Sequence, residues 1–242
     1  APDEYDGSHV VVIDILKKMS KPELQRLQSG TYSRTLVTMS SGLDHVDMST
    51  VRELGITILN SGKSAITDSV VDYVLTLTIA GLRDMLPQLK VPFPEPGGWN
   101  LTWNAHGVGL DAATVGVVGA GPIVQGFIRK LTSLNSKVQI LYTAPEQYRI
   151  PHFEAEFPTQ VRFVSSVVAG RSLTNLASIV DVLVPLPPLP ADTKYLIDDS
   201  VFAFMIPHSV LLHFSRVSVV PTASLVDAFS SGPLQHPLRA PP

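Results

Sequence analysis

The residues with the clearest chemical reading are the glycines in Thr114-Val115-Gly116-Val117-Val118-Gly119-Ala120-Gly121-Pro122-Ile123-Val124-Gln125-Gly126. The apolar run 114–118 predicts a buried strand, Gly119 and Gly121 a tight turn, and residues 123–134 a helix. That order suits a dinucleotide. The first glycine makes the turn, the second lets backbone approach a pyrophosphate, and the helix N-terminus offers N–H groups to phosphate oxygens. Gly119, Gly121, Pro122 and Ile123 are therefore candidate cofactor-binding residues. The fingerprint's third glycine falls at 124, where the chain has Val124. Its side chain is expected to push the helix outward or twist the turn. Pro122 removes an N–H that could have faced a phosphate, and Gly126 stands two residues too late to substitute.

Other chemistry-bearing residues carry less. Asp44, His45 and Asp47 have the types of a metal cluster, but their position before a helical segment predicts Asp44 as a cap and His45 as structural or exposed. No metal is expected. His208 and His213 are five residues apart on a predicted strand and so face opposite sides. Ser215 has no evident base to activate it.

The elements that must position these residues alternate between strands and helices. Val10–Ile13 reads as a strand. Leu16, Met19, Leu24 and Leu27 predict an amphipathic helix over 14–28, with Pro22 in its first turn behind Ser20 or Lys21. Strands follow at 36–38 and 56–59, separated by helical turns over 47–54 that Gly55 ends. Strand–helix–strand at this spacing predicts a parallel sheet. Residues 68–85 predict a long helix, apolar on nearly every face and so buried in a domain or a subunit interface, with Thr67 or Asp68 capping it. Four prolines and two glycines between 87 and 98 predict a loop. Beyond the glycine turn, strands are expected at 139–143, 160–164, 181–184 and 209–214, and helices at 173–179 and 199–205. The strand 139–143 ends in Thr143-Ala144-Pro145 with no acid to accept from ribose hydroxyls. That favours NADP over NAD, or no dinucleotide at all. Arg149 is the adjacent basic candidate for a 2′-phosphate, its alternative being a solvated loop arginine.

Composition narrows the classes. The chain has 242 residues, 45% of them hydrophobic, enough for one large or two modest domains. A net charge of −3 leaves no electrostatic footprint for nucleic acid. No apolar run approaches the ~18 residues of a membrane span. Without cysteine there is no disulfide, thiolate metal site or cysteine nucleophile. The chain begins at Ala1 rather than Met and is expected to be a processed product or a fragment.

Ser41-Gly42-Leu43-Asp44-His45-Val46-Asp47, the Gly55-Ile56 return, the Thr67-Asp68 helix ending near Arg83, Gly98-Trp99 and the glycine turn occur in one order and spacing. That order resembles the D-isomer-specific 2-hydroxyacid dehydrogenases, most of all their glyoxylate/hydroxypyruvate reductase branch, from about residue 30 to residue 234. The resemblance implies an α/β fold: a Rossmann-type doubly wound parallel sheet over residues 64–242 and a smaller, incomplete flavodoxin-like α/β substrate domain over residues 1–63. It implies a dinucleotide-dependent oxidoreductase of small 2-oxo acids, soluble and cytoplasmic, forming a homodimer without nucleic acid or membrane partners. By the same resemblance Ser41 and Gly42 hold the substrate carboxylate through backbone N–H groups. Thr143 and Pro185 lie beside the cofactor, Pro185 in a loop passing the ribose. Arg216 binds the carboxylate and orients the keto oxygen, a task suited to its planar fork. The chain departs from the family at Val217, where glycine is usual. It departs again at the proton donor, a His paired with a Glu: no glutamate follows Glu156, and His236, the one histidine after Arg216, resembles a different loop. The chain is thus expected to be a family member short at both ends, its return to the substrate domain missing. A catalytically inactive descendant is the alternative reading.

Overall fold

The computed structural model describes residues 5, 7–14, 16–62, 66–85, 107–164, 171–187, 195–215 and 217–230. The chain divides into two compact units, Ala1–Ile66 and Thr67–Pro242. The first holds three parallel strands in the order β1 (Ser8–Ile13), β2 (Thr31–Thr38), β3 (Thr57–Asn60). Helices α1 (Lys21–Gly30) and α2 (Met48–Glu53) connect them. Ile13, Leu36 and Ile56 meet Leu24, Leu27 and Val51 from the helices in one buried core.

The helix expected over 14–28 begins only at Lys21. The Asp14 carboxylate accepts from the backbone N–H groups of Leu16 and Lys17, at 2.7 and 3.0 Å, and turns the chain instead. Leu16, expected on the apolar face, is 85% exposed. Met19 forms a parallel bridge with Val46. Pro22 lies in the first turn of α1 behind Ser20, where its missing N–H leaves no partner wanting. The cap of α2 is Asp47, not Asp44: its carboxylate accepts from the N–H groups of Ser49 and Thr50.

The second unit carries five parallel strands, β4 (Thr114–Val118), β5 (Gln139–Thr143), β6 (Val161–Phe163), β7 (Val182–Pro185) and β8 (Val210–Leu211), in the order β6-β5-β4-β7-β8. The chain winds outward from β4 through β5 to β6, then crosses back to β7 and β8 on the other side. That reversal defines a doubly wound sheet and puts its switch point between β4 and β7. One face packs against α3 (Thr67–Leu82), α4 (Pro122–Leu134) and α5 (Pro151–Glu156), through Val71, Val74, Phe127, Ile128 and Phe153. The other packs against α6 (Arg171–Ala177), α7 (Asp199–Phe204) and α8 (Thr222–Ser230), through Leu176, Val201, Phe202 and Ala228. Both faces are covered, which is why β4 and β7 read as continuous apolar runs rather than alternations. The expected Rossmann-type doubly wound sheet and smaller α/β unit are both present.

Within this chain helix α3 buries the stripe Val71, Val74, Thr78 and Leu82, while Tyr73 is 61% exposed. Residues 209–214 pair in the ladder only at Val210 and Leu211. Val124 is fully buried with Val115 and Phe127, and α4 runs unbroken from Pro122. At Gly126, which faces α3 rather than the strand, a Cβ would lie 3.0 Å from Val71 Cγ2. Helices α5 and α8 were not anticipated.

Candidate functional site

In the second unit the candidate residues gather at the carboxyl ends of β4, β5 and β7. Gly119 has φ +122°, and a Cβ there would meet the carbonyl oxygen of Leu186 at 2.9 Å. Only glycine fits that backbone. Its N–H donates to the Thr143 carbonyl at 2.8 Å, and the N–H of Leu186 donates to the Val118 carbonyl at 2.8 Å. The turn is thus tied to both neighbouring strands. Pro185 is buried at the end of β7 beside Val118. Ser215 Oγ donates to the Pro187 carbonyl at 3.1 Å, bringing the chain end of the β8 segment to the same edge. Arg216 itself lies outside the described residues, as do Gly98, Trp99 and His236.

Gly121 differs from Gly119. It adopts φ −72° and ψ 178°, an extended conformation open to any residue. Apart from its chain neighbours, no atom of a described residue lies within 4 Å of where its Cβ would be. The fold does not require glycine there, so the absent side chain leaves open space at the start of α4. Around that space the N–H groups of Gly121, Ile123 and Val124 donate to no other described residue, as the first turn of a helix dictates. Pro122 supplies none. The Gln125 side chain steadies the turn by donating to the Ala120 carbonyl at 3.0 Å. Open space, unpaired donors and the positive end of a helix together fit a pyrophosphate.

Thr143, expected beside the cofactor, is 1% exposed, and its Oγ1 has no hydrogen-bond partner among the described residues. Its carbonyl anchors Gly119, while its side chain faces the interior. Arg149 is an exposed loop arginine, and its guanidinium is held by acids. It makes a two-pronged bond to Glu154, Nε–Oε1 at 3.0 Å and Nη2–Oε2 at 2.7 Å, with Glu146 at 3.5 Å. Its guanidinium lies 5.0 Å over the Phe163 ring. The bond to Glu154 raises the arginine's pKa and lowers that of Glu154. Tyr142 completes the group, donating from its hydroxyl to Glu154 at 2.8 Å and accepting from the Ile150 N–H at 2.9 Å. Burial pushes its hydroxyl up to about 12. Tyr142 and Glu154 were not foreseen. An aromatic one residue before a strand end and an acid in the next helix give no signal until the loop between them folds back.

In the first unit the Ser41–Gly42 loop leaves the carboxyl end of β2. The Met39 carbonyl accepts from Ser61 Oγ at 3.0 Å, that of Ser41 from Asn60 Nδ2 at 2.8 Å, and that of Gly42 from Ser40 Oγ at 2.6 Å. The N–H groups of Ser41, Gly42 and Leu43 donate to no other described residue. With these carbonyls taken by side-chain donors, the loop has three N–H groups that could donate to an anion. Thr38, Ser40 and Asn60, which shape it, carried no recognisable motif. His45 is drawn into the same network, its Nε2 3.0 Å from Thr38 Oγ1. Among the described residues no three metal-ligating side chains converge, and no helix is long and apolar enough to cross a membrane.

Residues 93–238 match the family model described as D-isomer specific 2-hydroxyacid dehydrogenase, NAD binding domain. The chain is 27% identical over 231 residues to the mouse glyoxylate reductase/hydroxypyruvate reductase, covering 93% of this chain and 64% of that protein. A Granulicella formate dehydrogenase superposes with a TM-score of 0.78 at 23% identity, covering 96% of this chain and 60% of the other. The NAD-dependent formate dehydrogenase of Staphylococcus aureus, solved in complex with NAD, gives 0.74 at 23% identity, covering 96% and 63%. The chain spans less than two thirds of the length of the curated relatives it matches.

Proposed function

Because this chain belongs to the D-isomer specific 2-hydroxyacid dehydrogenase family, we propose that it is an NAD(P)H-dependent reductase of small 2-oxo acids, with glyoxylate or hydroxypyruvate as substrate. The observation that carries the reading is the open space at Gly121 ringed by unpaired N–H groups. Gly121, Ile123 and Val124 would hold the pyrophosphate, with Gly119 setting the turn and Pro185 bordering the ribose. The nicotinamide, when bound, supplies a hydride. The Ser41–Gly42 loop would receive the carboxylate of the 2-oxo acid on its N–H groups, and Arg216 is the candidate carboxylate fork of residues 64–242. Residues 1–63 serve the substrate and 64–242 the dinucleotide. Assembly as a homodimer belongs to this reading too.

NADP was favoured by the lack of an acid at Thr143-Ala144-Pro145. Arg149, the basic residue that preference needed, is engaged by Glu154 and Glu146. Neither a ribose-holding acid nor an uncommitted arginine stands there, so weak discrimination between the two dinucleotides is expected. Fluorescence titrations with NADH and NADPH, run beside a glyoxylate turnover assay, test the proposal. Binding with turnover of glyoxylate supports it, and failure of both dinucleotides to bind at millimolar concentration ends it. A second reading, a family member that binds without catalysis, is favoured by Pro122, which withholds an N–H from the phosphate site, and by Val217, where the family usually has glycine. Binding without turnover would select it.

A further inference from the structure

The network under the Ser41–Gly42 loop fixes its own proton positions. Ser40 Oγ lies 2.6 Å from the Gly42 carbonyl, an acceptor only, so the Ser40 hydroxyl proton must point there. Thr38 Oγ1 lies 3.0 Å from Ser40 Oγ. With the Ser40 proton committed, the proton in that contact belongs to Thr38. The His45 Nε2 contact to Thr38 Oγ1, at 3.0 Å, then has one remaining source of a proton, the imidazole. Any other assignment sets two lone pairs against each other in a short contact. Thr38 Oγ1 also accepts from the Ser40 N–H at 3.3 Å, which completes its bonding capacity. Thr38 and Ser40 are 1% and 8% exposed, so water does not offer an easy alternative. His45 Nδ1 is buried with no hydrogen-bond partner among the described residues, so an N–H at that position would go unsatisfied there.

We propose that His45 is a positioning residue: as the Nε2–H tautomer it heads a one-way hydrogen-bond chain through Thr38 and Ser40 to the Gly42 carbonyl. That chain orients the Gly42–Leu43 peptide, whose N–H faces the substrate carboxylate. The inference rests on the reading of this loop as the carboxylate cradle. Its chemical consequence is directional. Each donor in such a chain is strengthened by the bond it accepts, so the Gly42 carbonyl is polarised and the Leu43 N–H of the same peptide becomes a better donor. His45 touches no substrate in this account and acts only through the two hydroxyls.

The test uses the 242-residue chain with ¹⁵N-labelled histidine. The His45 imidazole should show a protonated Nε2 and an unprotonated Nδ1. An Nδ1–H ring, or a ring averaging between the two forms, would overturn the inference. Glyoxylate binding is then titrated. His45→Leu and Ser40→Ala should each weaken glyoxylate about tenfold, with NADH affinity unchanged. His45→Gln, whose amide nitrogen can occupy the place of Nε2, should stay within about twofold of the parent. Equal losses for Gln and Leu would overturn the directional chain. If the parent binds no glyoxylate while the ring is the Nε2–H form, the cradle reading fails and the proton assignment stands.

Discussion

Both β2 and β4 end in a loop that carries glycine and feeds a helix, yet the two loops are held by different forces. The loop after β2 is braced by side chains: Ser40, Asn60 and Ser61 each occupy a carbonyl of residues 39–42, and Asp47 caps the helix that follows. The loop after β4 is braced by shape. Gly119 passes under the Leu186 carbonyl at a distance no side chain allows, and Val124 buries its isopropyl group in the core one turn later. Both arrangements leave backbone N–H groups that donate to no other described residue. Hydrogen-bonded bracing tolerates a lost partner at modest expense in stability, whereas steric bracing fails abruptly when one atom is added. Substitutions at the two loops should therefore differ in the size and in the kind of their effects.

The largest effect is expected at Gly119. Alanine there must hold φ +122° and place its Cβ about 2.9 Å from a backbone oxygen. Strain of this kind costs roughly 2–4 kcal/mol. Urea unfolding of Gly119→Ala should show that loss, and a variant as stable as the parent would mean the close approach to Leu186 is not real. Gly121→Ala sharpens the contrast two residues away. Its Cβ meets nothing and its φ is ordinary, so stability should hold or rise by about 0.4–1 kcal/mol. Dinucleotide affinity should fall at least about tenfold, near 1.4 kcal/mol, because the added methyl occupies the space left for the phosphates. Equal effects at the two glycines would remove the distinction between a glycine the fold needs and one the ligand needs.

The loop held by shape was the more legible of the two in the sequence. The boundaries of β4 and β5 match their expected ranges at 114–118 and 139–143, because a strand buried on both faces and ended by glycine or proline announces itself in one short window. The close approach at Gly126 was not legible in that window, because its partner Val71 stands on a helix more than fifty residues earlier in sequence. The loop held by side chains was hardly legible. Thr38 meets His45 across seven residues, and Asn60 meets Ser41 across nineteen. Such contacts exist only after β2 and β3 have paired. The same holds for Arg149, whose partner Glu154 is drawn close by a short helix that the sequence did not signal. Strand β8 was drawn too long because apolar residues at 209–214 also serve packing: Phe214 meets Tyr73 edge-on at 5.6 Å, outside the ladder.

The smallest effect belongs to the cap that closes the side-chain-braced region. Asp47 accepts from Ser49 and Thr50, and those bonds, the Ser49 hydroxyl foremost, lower its carboxyl from 3.8 to about 2. A carboxyl whose pKa is depressed on folding stabilises the native state at pH values above its unfolded pKa. The contribution declines as pH falls through that value and is gone once the folded carboxyl is itself protonated. Asp47→Asn should therefore be less stable than the parent at neutral pH, though an asparagine oxygen still offers a cap and keeps the difference small. Between about pH 4 and pH 2 the two unfolding curves should converge, the parent losing stability that the variant never had. A gap that persists unchanged at pH 2 would assign the bracing of α2 to packing rather than to charge. It would bring the loop after β2 closer in kind to the loop after β4.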